Sequence, residues 1–137
     1  ADIKRIEIYF KGVSLGGIAD MLLQIGDSGG VETSGYISTY GLIVGGTAGT
    51  NNSTAGILIP VNAAADAFYG KITLVLNNSS TQTWTATGIL LGNTNVIAYV
   101  CGEKSLSPGP IDRISITTVG GATSFDAGST VVEAYYV

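Results

Sequence analysis

Histidine is absent from this 137-residue chain, and cysteine occurs once, at Cys101. Without histidine there is no Ser-His-Asp triad, no imidazole zinc ligand and no imidazole pH switch. One cysteine excludes an internal disulfide and any cysteine metal cluster. Charge is scarce as well: charged residues make up 12% of the chain, against about 25% in an ordinary soluble domain. Six basic and ten acidic residues leave a formal net charge of −4. Few, scattered cations under a negative balance argue against a nucleic-acid groove. Residues 33–65 and 72–102 carry no formal charge at all, yet Gly, Asn, Ser and Thr interrupt both stretches. Neither offers the roughly 20 consecutive apolar residues of a spanning helix, so no membrane insertion is expected. Asp2, Lys4, Arg5 and Glu7 break the first apolar run, which therefore does not read as a signal peptide.

What is present is hydrophobic content of 45% and 20 glycines. The length predicts one domain over residues 1–137. The dominant period is two. In Ile3–Phe10, Ile6, Ile8 and Phe10 point one way and Arg5, Glu7 and Tyr9 the other. Met21–Ile25, Tyr36–Val44, Gly56–Val61, Lys71–Leu76, Gln82–Leu90, Val96–Cys101, Ile111–Val119 and Thr130–Val137 read as further strands. About nine short strands between Gly, Asn, Ser and Pro turns predict an all-β antiparallel β-sandwich of jelly-roll type, with no substantial helix. Asn62–Ala67 is the one helix-like piece, of one or two turns. Gly45–Ala55 is low in complexity and reads as an exposed loop.

Motifs for chemistry are few. Gly26-Asp27-Ser28-Gly29-Gly30 is similar to the segment around the nucleophile of trypsin-like proteases, but the histidine base is missing. It reads instead as a glycine-rich turn with Asp and Ser capping backbone donors. Asp20, Asp27 and Glu32 lack calcium-loop spacing or a glycosidase motif and read as solvated turn carboxylates. Glu103-Lys104 and Asp112-Arg113 read as surface or edge charges, and nothing marks a lysine as buried. Trp84, alternating with threonines, fits core packing or ligand stacking. Tyr36 and Tyr40 offer flat faces beside hydrogen-bonding groups, the combination that sugar recognition uses, or form a half-buried rim. With Asn51, Asn52, Thr54, Asn77 and Asn78 they make up the candidate receptor contacts. Asn51–Thr54 and Asn77–Ser80 also contain glycosylation-type sequons, which matter only in a secretory pathway. No catalytic residue, metal site or cofactor is expected.

Three segments taken together, Ile3–Ser14, Leu23–Tyr36 and Asp112–Thr118 running on to Phe125-Asp126-Ala127-Gly128-Ser129, resemble the C-terminal domain of tail-fibre and related appendage proteins of tailed bacteriophages. Gln82-Thr83-Trp84-Thr85 also fits. The resemblance spans Ile3 to the end and is weakest over residues 45–62. It implies a β-rich domain, with the Phe-Asp-Ala-Gly turn preceding the last strand, cut from a longer fibre chain. It further implies a homotrimer in the virion that joins other virion proteins and contacts the host surface, often its polysaccharide. The alternative is a structural virion protein, such as a head decoration or cement protein or a shaft or collar module. A depolymerase would need paired carboxylates in a groove, and a cellular lectin-like module would share the fold class.

Overall fold

The computed structural model describes residues 2–136. Ala1 and Val137, the latter assigned by its sequence to the last strand, lie outside the described residues. Eleven strands are present: β1 (Ile3–Leu15), β2 (Met21–Asp27), β3 (Gly30–Val31), β4 (Ile37–Val44), β5 (Thr47–Ser53), β6 (Ile57–Ile59), β7 (Phe68–Asn78), β8 (Thr83–Gly92), β9 (Val96–Ser105), β10 (Arg113–Thr118) and β11 (Phe125–Tyr136). The described residues contain no helix, and all pairings are antiparallel.

Seven strands form one sheet in the order β11-β1-β7-β8-β9-β4-β5. The second sheet is centred on β2, with β10 along one edge and β3 and β6 sharing the other. Every residue of β2 is buried, as its nearly unbroken apolar run requires. The larger sheet shows the alternation of a strand with one solvated face. Ile6, Ile8 and Phe10 of β1, Ile72 and Leu74 of β7, Trp84, Ala86 and Leu90 of β8, and Val96, Ala98 and Val100 of β9 turn inward. They meet Met21, Leu23, Ile25, Ile57 and Ile59 in one core. Trp84 is a core residue, 1% exposed, which removes the ligand-stacking option.

Three expectations are corrected. The Gly45–Ala55 stretch is not a loop: Thr47–Ser53 forms β5, paired with β4 from Val44↔Thr47 to Ser38↔Ser53. Gly45 and Gly46, at φ of 55° and 89°, supply the two-residue turn. An edge strand with solvent on both faces needs no apolar alternation, so its sequence looked like a loop. Asn62–Ala67 is not helical either. Asp66 Oδ2 accepts the amides of Asn62 (2.9 Å) and Ala63 (2.8 Å), folding the segment into a turn. Finally, Phe125-Asp126-Ala127-Gly128 lies inside the last strand rather than before it. A bulge occurs there, where the register moves from Lys11↔Ser129 to Ser14↔Ala127. Gly12 and Gly128 both take positive φ within it.

Close backbone approach at the β2–β3 hairpin makes a direct test of this packing. A Cβ on Gly26 would fall 2.3 Å from the Gly30 carbonyl oxygen, whereas a Cβ on Gly49 in β5 meets nothing. Gly26→Ala is expected to cost about 2–4 kcal/mol, and Gly49→Ala to stay within about 0.5 kcal/mol of the parent. Urea unfolding midpoints of the two variants check this.

Candidate functional site

The sequence-predicted contacts do not converge. Tyr36 is 1% exposed, so its proposed surface role is corrected. Its hydroxyl accepts the Ile25 amide (2.9 Å) and faces the carbonyls of Glu32 (2.8 Å) and Ile25 (3.2 Å). Lys104, expected at the surface, is buried as well; it pairs with Glu32 and lies 5.3 Å from the centre of the Tyr36 ring. These groups pin the segment after β3 against β2 and the end of β9. Asp27 is likewise not a solvated carboxylate. It is buried, and it accepts the Gly29 amide at 2.8 Å and the Gly109 amide at 2.5 Å. The protease-like run is therefore a two-residue hairpin turn between Asp27 and Gly30.

The other candidates divide between two faces of the large sheet. Tyr40 and Asn51 oppose each other across β4 and β5 on its inner side. Tyr40 is half-buried beside Asp20. Burial raises the pKa of both groups, and the Asp20 charge pushes the Tyr40 phenol up further. Asn52 opposes Thr39 on the outer side. Asn77 donates to Thr85 Oγ1 at 2.5 Å, on that same outer side. Asn78 accepts the amides of Ser80 (2.9 Å) and Thr81 (3.2 Å), so its carbonyl is engaged in the β7–β8 turn. Thr54 is exposed in the segment after β5, where its carbonyl accepts the Tyr36 amide at 3.1 Å.

The strand register assembles a surface that the linear sequence does not display. On the outer face of the large sheet, three rows run across the strands. One row contains Tyr69, Leu91, Ile97 and Ile43. Next come Tyr9, Lys71, Ile89, Tyr99 and Gly41, and beyond them Glu7, Thr73, Thr87, Cys101, Thr39 and Asn52. A shallow depression of about 470 Å³ lies where the second and third rows meet, lined by Lys71, Thr73, Thr87, Ile89, Tyr99 and Cys101 among others. Tyr99 packs over Gly41, which has no side chain to obstruct it. At the far side, Tyr9 donates to Glu7 at 2.6 Å, and Lys71 reaches the other Glu7 oxygen at 3.2 Å. The hydrogen bond to Glu7 pushes the Tyr9 phenol up to about 12, so this ring stays neutral through the physiological range.

This surface combines threonine hydroxyls, one ammonium group and aromatic faces without an excess of either charge. It can hydrogen-bond a neutral polyhydroxylated ligand and pack against its apolar faces. Lys71, Thr73, Thr87 and Tyr99 were missed as a site in the sequence. The available signal was the outward half of the period-two pattern in Lys71–Leu76, Gln82–Leu90 and Val96–Cys101 taken together. Among the described residues no cluster of His, Cys, Asp or Glu could hold a metal ion, and no helix is long and apolar enough to cross a membrane. Against family models, curated proteins and solved structures, the chain returns no match.

Tyr36 gives an alkaline signature separable from the exposed tyrosines. Burial pushes its phenol from 10.0 up to about 12. In that interval the folded chain holds a proton that the unfolded chain has released. The contribution is therefore complete below pH 10 and is lost as pH rises toward about 12. Tyr36→Phe is expected to remove that part of the alkaline loss of stability. It also strips the Ile25 amide of its acceptor, at a cost of about 1–3 kcal/mol at neutral pH. Denaturant titrations across the alkaline range check both effects.

Proposed function

We propose that this chain is a tip domain of a tailed-bacteriophage tail fibre, of jelly-roll type and without catalytic activity, that binds glycan on the host-cell surface. The observation that carries the reading is the outer-face depression, with Thr73, Thr87 and Lys71 as hydrogen-bonding groups and Ile89 and Tyr99 as its apolar wall. The phage-like segments of the sequence supply the biological setting. The chain's repeated passage between its two sheets is in keeping with a jelly-roll path. Asn52 and Thr39 extend the polar row toward the β4–β5 edge. Of the sequence-predicted contacts, Asn52 keeps a role in this reading, whereas Tyr36 does not. A shallow neutral site binds weakly on its own, and several copies on one virion appendage raise avidity without new contacts.

A second reading rests on a different observation. Leu91 and Ile89 are 59% and 60% exposed, beside half-exposed Tyr69 and Tyr99. A contiguous apolar patch of this kind marks protein contact surfaces. It favours a structural virion protein seated on a neighbouring protein, in a head lattice or a fibre shaft.

Purified domain is expected to bind polysaccharide from the host envelope and to compete with phage adsorption. Tyr99→Ala, and Thr73→Ala combined with Thr87→Ala, are each expected to weaken glycan binding about tenfold, equivalent to about 1.4 kcal/mol. Circular dichroism would confirm that both variants fold. Folded parent protein that neither binds host polysaccharide nor slows adsorption overturns the recognition reading. Electron microscopy placing the protein in the head lattice selects the structural one.

A further inference from the structure

The two sheets differ in width, and the difference leaves one side of the molecule open. β11 pairs with β1 and β10 pairs with β2; among the described residues no strand pairs with the other edge of either. Every described residue of β11 is exposed. Thr130, Val132 and Ala134 nevertheless stand opposite Phe10, Ile8 and Ile6 of β1, which turn inward. They belong to the inner face of the sheet and lack a cover. Two apolar cavities lie in the seam between β10 and β11. One, of about 300 Å³, has Ile3, Ile6, Ile114, Val132 and Ala134 in its lining. The other, of about 280 Å³, has Val13, Ile116, Phe125 and Ala127. Native edges are commonly blunted by lysine, proline or inward-pointing charge. β11 contains no lysine and no proline.

Length, charge and level all point to further copies of this chain as the cover. β11 runs for 12 residues, about 40 Å at the rise of a strand, and both cavities open along it. A cover of that length needs an element as long as β11, and each copy brings one. Asp112 and Arg113 are the only charged residues in the two linings, and they bond to each other at 2.7 Å. Identical copies approaching through a strip of net charge would repel one another; this strip carries none. Glu133 of β11 stands opposite Glu7 on the outer side of the sheet, away from the seam.

The linings also fix levels along the seam. Ile114 of β10 shares a cavity with Val132 and Ala134, and Ile116 shares one with Phe125 and Ala127. Rotation about an axis parallel to the strands keeps every residue at its height. It therefore brings β11 of one copy to the seam of the next with apolar levels matched, Val132 and Ala134 beside Ile114, and Phe125 and Ala127 beside Ile116.

We propose that three copies of the chain stand about an axis parallel to their strands, the β10–β11 seam of each covered by β11 of the next. The count of three rests on the tail-fibre reading, and the choice of surface rests on the seam. The contact is head-to-tail and closes as a ring. The outer-face depression at Thr73 and Thr87 lies on the opposite face of the large sheet, so it stays open in all three copies.

Sedimentation of the purified chain over a concentration series tests the contact. The parent is expected to reach a trimer. Val132→Arg, which drives a cation into each apolar junction, is expected to raise the concentration of half-dissociation at least about tenfold. Leu91→Arg, on the outer apolar patch, is expected to leave assembly unchanged. Both positions are exposed in the single chain, and circular dichroism checks that both variants fold. A second readout uses a thiol. In a Cys101→Ser background, Val132→Cys is expected to react with a thiol reagent about tenfold more slowly above the assembly concentration than below it. A parent that stays monomeric at high micromolar concentration, or stops at two copies, overturns the proposal. So does a trimer that Leu91→Arg breaks and Val132→Arg does not, or a Val132→Cys thiol that labels equally fast at both concentrations. A monomer that still binds host glycan leaves the recognition reading standing while this contact fails. A trimer with a protected Val132→Cys thiol and no glycan binding upholds the contact and overturns that reading.

Discussion

A seven-stranded sheet exposes two long faces, and here its inner face is covered by a sheet centred on one strand. β2 lies at the middle of that cover, with every residue buried. Residues of β1, β7, β8 and β9 find their partners in β2 and β6. The two flanks of the large sheet meet this cover differently. At β4 the inner face still meets β6, with Ser38 accepting the Leu58 amide at 2.8 Å and Leu42 and Val44 packed against the core. The exposed β5 beyond it carries Asn51 and Gly49, groups that tolerate water. At β11 the inner face carries Val132 and Ala134 over a seam of isoleucines. Hydrophobic burial is the main favourable term in folding and association, so the second flank gains from a cover that the first does not need.

The scarcity of charge takes a specific meaning in this framework. Asp27 and Asp66 hold backbone amides at turns. Glu32 and Lys104 pair beside the buried Tyr36. Glu7 gathers Arg5, Lys71, Tyr9 and Tyr135 at the outer face. Much of the small charge complement is thus committed to shaping turns and fixing strands. The threonine and asparagine rows of the large sheet face solvent with few competing ions. A neutral hydroxyl-bearing ligand meets less desolvation cost at such a surface than at a salt-bridged one, because hydrated ions do not have to be stripped.

The strands were legible wherever one face is buried and the other wet. Ile6, Ile8 and Phe10 against Arg5, Glu7 and Tyr9 gave the alternation directly, and the structure keeps it. β5 was not legible, because an edge strand exposed on both faces needs no apolar residues and its Gly-Gly turn looks like low complexity. Tyr36 and Lys104 were misplaced for a related reason. Polar groups can be buried when partners distant in sequence meet them, and Ile25 and Glu32 become such partners only after the hairpins close.

The site itself shows the limit more sharply. A strand sequence reports which side a residue faces and is silent on its lateral neighbours, which register alone decides. Thr39, Thr73 and Thr87 lie on three different strands, β4, β7 and β8, with β5 and β6 between the first two along the chain, yet they belong to one row. One residue of slip between β7 and β8 would pair inward with outward positions and dissolve that row. Register here is held by what lies on the other face, since Ile72, Leu74, Trp84, Ala86 and Leu90 must all turn inward together. The polar arrangement of the outer surface is therefore specified by the hydrophobic core beneath it. An inward substitution that shifted β8 would damage the proposed glycan surface without touching any residue in it.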